Sequence, residues 1–375
     1  MILPAALFTQ YLPTMKTLLA SLVNIESPST EKAAVDRLVQ RLIPELRELG
    51  GEVQVIPQAG AGDHIRCRWG NGPGSILVLC HTDTVFEMGT LALQPYHEID
   101  GKIYGPGVLD MKGSIAMLLG VLRLLHQERA WPQRPLTALF PSDEETGSLT
   151  SRDLIESEAH RAALVLCLEP ALASGAIKTA RKGTGDITIQ VKGIAAHAGI
   201  DHQKGRNAIA ELAYHVLAAQ ALTDYDRGTT VNVGVIRGGT RGNVVPAEAQ
   251  ALVDFRVTST AEFHRLESWA KRLAPVISGT SVSAELTLNR PPMPRDATMA
   301  KSFQKAQDIA RQLGLELSEG STGGGSDANF AAALGIPVLD GLGGVGDGAH
   351  SAREYVLASS LPERAALLSA LLLNW

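Results

Sequence analysis

The sequence predicts an α/β protein: a mixed sheet layered with helices, interrupted by a smaller α+β insertion. Three observations carry that prediction. Ile76–Cys80, Leu136–Phe140 and Ala163–Leu168 are short, continuously apolar runs, the pattern of strands buried on both faces. Helical segments lie among them. From Gly183 onward the pattern becomes alternating, as in Asp186–Lys192 and Ala249–Val257, which marks strands with one wet face.

The elements follow in order. Glu31 to Leu49 reads as a helix because Ala34, Leu38, Leu42 and Leu46 recur every four residues. Ser27, Ser29 and Thr30 offer caps before it, Pro44 is expected to kink it, and Gly50-Gly51 ends it. Ser114–Leu125, rich in Ala, Leu and Met, is a helix between the first two strands. In the insertion, helices are expected near Ala208–Leu222 and Ala261–Ala274, with Val282–Leu288 as the last strand. The resulting order, βαββαβ, is a ferredoxin-like sandwich of the split βαβ type. Expected domain bounds are residues 1–179 and 291–375 for the main domain and 180–290 for the insertion. No internal repeat or low-complexity tract interrupts them.

A chain of 375 residues suits two domains, and 45% hydrophobic against 19% charged residues suits a sizeable core. Lys and Arg number 34 and Asp and Glu 39, a net charge of −5. That balance leaves no basic footprint for nucleic acid, and 5% aromatics leave little to stack bases on. Cys67, Cys80 and Cys167 form no C-x-x-C pair and no disulfide framework. Cys80 and Cys167 lie in apolar runs, as small core residues do. No stretch approaches the roughly 18 apolar residues of a membrane span. The apolar start, Met1–Phe8, lacks a basic n-region and a cleavage site, so a cytoplasmic protein without a membrane partner is expected.

Each buried run stops at groups that bind metal. The first leads into His81-Thr82-Asp83, the second into Asp143-Glu144-Glu145, the third into Glu169-Pro170. In open α/β sheets the ligand crevice lies beyond the carboxyl ends of strands, and imidazole with carboxylate suits zinc. His81 and Asp83 are two apart, so an extended backbone turns them to one side, where Asp83 can accept the second imidazole N–H. Taken alone, the pair is more often a buried histidine beside a structural carboxylate than a metal ligand. Adjacent Glu144 and Glu145 repel at a buried strand end unless cations compensate. A metal pair answers this if Glu145 is a ligand and Glu144 a proton shuttle. Gly105–Gly113 is a glycine-punctuated turn with Asp110 at its centre, and it lacks the order of a phosphate loop. Two metals close together need a bridging group, and a single carboxylate with two oxygens can supply it. His350, after Gly343–Ala349, completes the set.

These residues resemble the dizinc metallopeptidases, a family that includes glutamate carboxypeptidase, acetylornithine deacetylase, succinyl-diaminopimelate desuccinylase and dipeptidases. H-T-D-T-V, G-P-G-V-L-D-M-K-G, D-E-E-T-G-S, L-E-P, G-G-G-S-D-A and G-A-H-S occur in that family's order over nearly the whole chain. The resemblance implies an α/β zinc-peptidase catalytic domain with an inserted lid and dimerisation domain, and hence a homodimer. It implies two Zn2+ per chain, with Co2+ or Mn2+ as alternatives. His81, Asp110 and Glu169 would hold one ion and Asp110, Glu145 and His350 the other. Glu144 would be the base, Asp83 would orient His81, and the Asp110–Met111 peptide would be cis. His197 would reach the partner's site and stabilise the oxyanion. Asn243 and Arg256 would contact the substrate carboxylate, and Gly323, Gly324 and Gly325 would let backbone amides approach it. By spacing alone, His197 is a turn histidine and Arg256 a solvent-facing strand residue.

The glycine triplet is closest to the carboxypeptidase branch. The expected reaction is hydrolysis of an amide beside a free carboxylate, on an N-acyl amino acid or short peptide. An N-acyl-amino-acid deacylase and a dipeptidase share every metal residue and remain open. A metal-stabilised binding protein without turnover is the alternative of another class, and retention of Glu144 argues against it.

Overall fold

The protein is described by a computed structural model covering residues 2–375. Two compact units emerge. The larger contains the residues through Ala180, Arg295–Thr322 and Ser326–Trp375, and the smaller contains Arg181–Pro294 with Gly323–Gly325.

Among the described residues, the larger unit is built on a six-stranded sheet. Its order is Glu52–Ile56, His64–Trp69, Leu136–Phe140, Ser75–Leu79, Ala162–Cys167, Val338–Leu339. The last four strands are mutually parallel, and His64–Trp69 runs antiparallel to both its neighbours, Glu52–Ile56 and Leu136–Phe140, so the sheet is mixed. Every residue of Ser75–Leu79 and Leu136–Phe140 is buried, as their continuous hydrophobicity requires. Helices Leu12–Val23, Gly113–Gln127 and Ser360–Asn374 pack on one another and share one core with the sheet. The Lys32–Glu48 helix runs past Pro44 to Glu48, turning Val35, Leu38, Leu42 and Leu46 inward. Its expected serine cap does not form: the N-cap is Glu31, without a side-chain bond. Ser29 bonds Asp83 instead.

This sheet determines where a site can form. The chain leaves Ser75–Leu79, adds Leu136–Phe140 on one side of it, then Ala162–Cys167 on the other. Ser75–Leu79 is therefore a topological switch point, with a crevice outside its carboxyl end.

The smaller unit is a four-stranded antiparallel sheet ordered Thr230–Gly238, Glu248–Val257, Gly183–Lys192, Ser281–Arg290. Helices Ala208–Gln220 and Thr260–Lys271 complete the expected βαββαβ order. Alternate residues Ile187, Ile189, Val191, Ala251, Val253 and Phe255 form its core with Leu212 and Leu266 from the helices. Asn207 and Ser259 cap those helices through bonds from Ala210 N (3.0 Å) and Glu262 N (3.3 Å). All three cysteines are buried. Among the described residues, no helix is long and apolar enough to cross a membrane.

Candidate metal centre

Three parallel strands end side by side, and the residues just beyond them converge. His81 follows Ser75–Leu79, Glu145 lies in the short helical turn Glu144–Thr146 after Leu136–Phe140, and Glu169 follows Ala162–Cys167. Asp110 enters from the loop before Gly113–Gln127, where the Asp110–Met111 peptide is cis. His350 enters from a turn in which its own φ is 63°. Two groups of donors result, His81–Asp110–Glu169 and Asp110–Glu145–His350, each with its ligand atoms within 4.8 Å of one another.

Asp110 belongs to both groups, and its two oxygens are divided between them. Oδ1 lies 3.0 Å from His81 Nε2 and Oδ2 lies 3.3 Å from His350 Nε2. Glu169 Oε1 is 3.6 Å from His81 Nε2, and Glu145 Oε1 is 3.2 Å from His350 Nε2. Tetrahedral donors at zinc bond lengths lie roughly 3.4 Å apart, so both groups have the spacing a small divalent ion needs.

Two further observations fit a cation pair. Glu145 Oε1 is buried and makes no hydrogen bond of acceptable geometry despite the nearby imidazole, and a buried carboxylate oxygen in that position needs a positive partner. The electrostatics agree. Burial opposes a charged His81 ring, but the Asp110 and Asp83 carboxylates outweigh it and hold its pKa well above the ordinary value. Asp110 and Glu145 likewise raise His350 to about 11. Burial raises Glu145, and the two histidines hold Asp110 below the usual carboxylate range in spite of its burial. Three carboxylates crowded round two imidazoles demand positive charge, which divalent cations supply.

The supporting shell differs from the expectation in one place. His81 Nδ1 makes its hydrogen bond to the main-chain carbonyl of Asp83 at 3.0 Å, with the Asp83 carboxylate 3.6 Å away. That carboxylate instead accepts Ser29 Oγ at 2.7 Å and the backbone N–H groups of Glu144 and Glu145 at 3.2 Å each. Beyond Leu79 the chain is no longer regular strand, so the two-residue rule for side-chain direction lapses. Asp143 faces away from the donors, accepting Thr150 N, Thr150 Oγ1 and Ser151 Oγ at 2.6–2.8 Å and so bracing the turn.

Sequence reasoning did not single out Glu354. It is buried and accepts three backbone N–H groups from the Asp110 loop. Burial pushes its carboxyl up to about 7, while the three amides favour the ionised form. A lone glutamate four residues past His350 carries no local signal.

The other expected site residues belong to the smaller unit. His197 and Asn243 are brought together: the Ala196–His197 and Val244–Val245 strands pair, and Ala198 N donates to Asn243 O at 3.0 Å. His197 is exposed, and its Nδ1 accepts Gly199 N and Ile200 N at 3.2 and 3.1 Å. The proton of the neutral ring is then on Nε2, which leaves an N–H donor. Arg256 forms a two-bond pair with Asp254 on its own strand, at 3.0 and 2.8 Å. At the glycine triplet, buried Arg181 donates to the carbonyls of Gly324 (3.1 Å) and Gly325 (2.9 Å). Buried Arg290 lies against Gly325. Nothing in the sequence separates these two arginines from surface ones.

A mixed α/β sheet whose switch point carries two donor groups joined by one carboxylate defines a metallo-hydrolase with a binuclear centre. The chain belongs to peptidase family M20/M25/M40, whose model matches residues 77–374. It is 33% identical to carboxypeptidase G2 of a Pseudomonas species, over 96% of this chain and 89% of that protein. It is 28% identical to acetylornithine deacetylase of Pasteurella multocida, over 89% of this chain and 90% of that one. Aminopeptidase PepT from Bacillus cereus has the same fold, with a TM-score of 0.77 at 24% identity over 96% of this chain and 98% of that chain. So does a dinuclear metal-binding peptidase of the M20 family from Bacillus subtilis, with a TM-score of 0.71 at 15% identity over 97% and 98%.

Proposed function

We propose that this enzyme hydrolyses the amide bond of an N-acyl amino acid or short peptide next to a free C-terminal carboxylate, with a preference for glutamate. The observation that carries the two-metal part is the division of Asp110, one oxygen facing His81 and the other His350. In this reading His81, Asp110 and Glu169 hold one zinc, and Asp110, Glu145 and His350 hold the other. The likeness to carboxypeptidase G2 and the Gly323–Gly325 triplet support the carboxypeptidase branch. The likeness to acetylornithine deacetylase supports the second reading, an N-acyl-amino-acid deacylase.

The metal pair would lower the pKa of a water toward about 7 and polarise the scissile carbonyl. The remaining work falls to side chains of this chain. Glu144 takes the water's proton as the water oxygen bonds the carbonyl carbon. When the C–N bond breaks, Glu144 passes that proton to the leaving nitrogen. Asp83 holds the Glu144 and Glu145 amides, which aims both carboxylates. His197, with its proton on Nε2, donates to the developing oxyanion of a neighbouring subunit. Asn243 and the Gly323–Gly325 amides receive the substrate carboxylate, and Arg256 joins them by exchanging part of its bond with Asp254.

The smaller unit, Arg181–Pro294 with Gly323–Gly325, then serves as lid and dimerisation surface. One of its two edge strands, Thr230–Gly238, exposes Val235 and Ile236, and its helix Ala208–Gln220 exposes Tyr214 and Leu217. An unpaired apolar edge strand is an invitation to pair across a twofold axis.

The test is amino-acid release by zinc-loaded protein from matched N-acetyl, N-aroyl and dipeptide substrates, with and without C-terminal glutamate. Preference for glutamate is expected, as is loss of cleavage when the α-carboxylate is amidated. Acetate release without preference for the released amino acid would move the assignment to the deacylase.

A further inference from the structure

We propose that Glu354 is a positioning residue that fixes the spacing of Asp110 and His350, and thereby the ion held by Asp110, Glu145 and His350. The proposal rests on the reading of Asp110 as the bridging ligand. Glu354 is 2% exposed, and its carboxylate gathers three backbone amides of one loop. Oε2 accepts Gly107 N at 2.8 Å, and Oε1 accepts Leu109 N at 2.8 Å and Asp110 N at 2.9 Å. A buried carboxylate is costly unless its oxygens are satisfied, and charge-assisted bonds to three amides satisfy both.

The third of these donors is the amide of Asp110 itself. Glu354 thus holds the main chain of a residue whose side-chain oxygens face His81 and His350. The same short segment carries His350. Ser351 N and Oγ bond Gly348 O at 3.0 and 2.7 Å, and Glu354 N bonds Ser351 O at 3.1 Å. Gly348 (φ 78°) and His350 (φ 63°) complete this tight turn. One end of the turn therefore presents His350 and the other clamps Asp110, across 244 positions of sequence. The turn carries His350, a donor of the second group alone, while the group of His81 and Glu169 is reached only through the shared Asp110, so the effect should fall on the second ion more than the first.

The test measures Zn2+ affinity at both sites by competition dialysis, and Co2+ absorption as a report on ligand geometry, in wild type, Glu354→Gln and Asp110→Asn. Glu354→Gln keeps the size of the side chain but turns an amide NH2 toward at least one N–H. We expect it to weaken the second ion about 10–100-fold, weaken the first ion less, alter the Co2+ bands, and lower kcat more than KM. Glu354→Asp keeps the charge but cannot reach all three amides, and the same selective loss is expected if the glutamine variant folds poorly. Wild-type affinity at both sites in a folded variant would overturn the proposal. So would equal weakening at both sites with a collapsed melting temperature of the metal-free protein, which marks a merely structural role. Asp110→Asn separates the two ideas. If it too keeps both ions at wild-type affinity, the bridging reading fails; if it loses metal while Glu354→Gln does not, only the positioning role fails.

Discussion

Asp83 and Glu144 are joined through the main chain: the Asp83 carboxylate, out of contact with solvent, accepts the Glu144 N–H at 3.2 Å. Its other oxygen accepts the Glu145 N–H at 3.2 Å and Ser29 Oγ at 2.7 Å. A single carboxylate thus anchors the turn carrying both the proposed base and a proposed metal ligand. Asp83 acts on the chemistry by setting where that turn stands.

Ser29→Ala tests this link without touching a metal donor. It removes one bond to a buried carboxylate, which costs on the order of 1–3 kcal/mol. Chemical denaturation should show that loss, and kcat should fall several-fold with KM nearly unchanged. Unaltered stability and kcat would detach Ser29 from the site.

The division of Asp110 predicts unequal effects on metal content. His350→Ala removes a donor from one group only, so about one of the two tightly bound ions should be lost. Asp110→Asn removes a charged bridge from both groups and should leave less than one. Metal analysis after dialysis reads this directly, and equal losses in the two variants would contradict the shared role.

If His197 acts on the partner's substrate, each active site of a dimer draws on both chains. Glu144→Gln and His197→Ala subunits should each be nearly inactive alone. In mixed heterodimers, one site pairs an intact Glu144 with an intact His197, so activity should return to about one quarter to one half of wild type. Verified heterodimers that stay inactive would place His197 within its own chain's site or outside the chemistry.

The sequence made the candidate metal donors legible for a physical reason. Continuous apolar runs identify strands buried on both faces, and polar residues directly after them must lie at the sheet's carboxyl edge. His81, Glu145 and Glu169 are all of that kind. Alternation made the smaller unit's strands legible in the same way, and Glu248–Val257 begins one residue before the expected run. Ser360–Asn374 escaped because it is buried nearly all round, which erases the helical period. Ser29 and Glu354 escaped because their meaning is a contact made across 54 and 244 positions, one with the Asp83 carboxylate and the other with backbone amides that any residue type supplies. The expected Asp83–imidazole bond missed because a strand rule was carried past the strand's end.

The most direct test of the account measures bound metal and turnover on the same samples of wild type and Glu144→Gln. If Glu144 is the base beside two ions, the variant should bind two Zn2+ per chain with wild-type affinity while kcat falls about 10²–10⁴-fold. A variant that keeps both ions and turns over at the wild-type rate would contradict the mechanism.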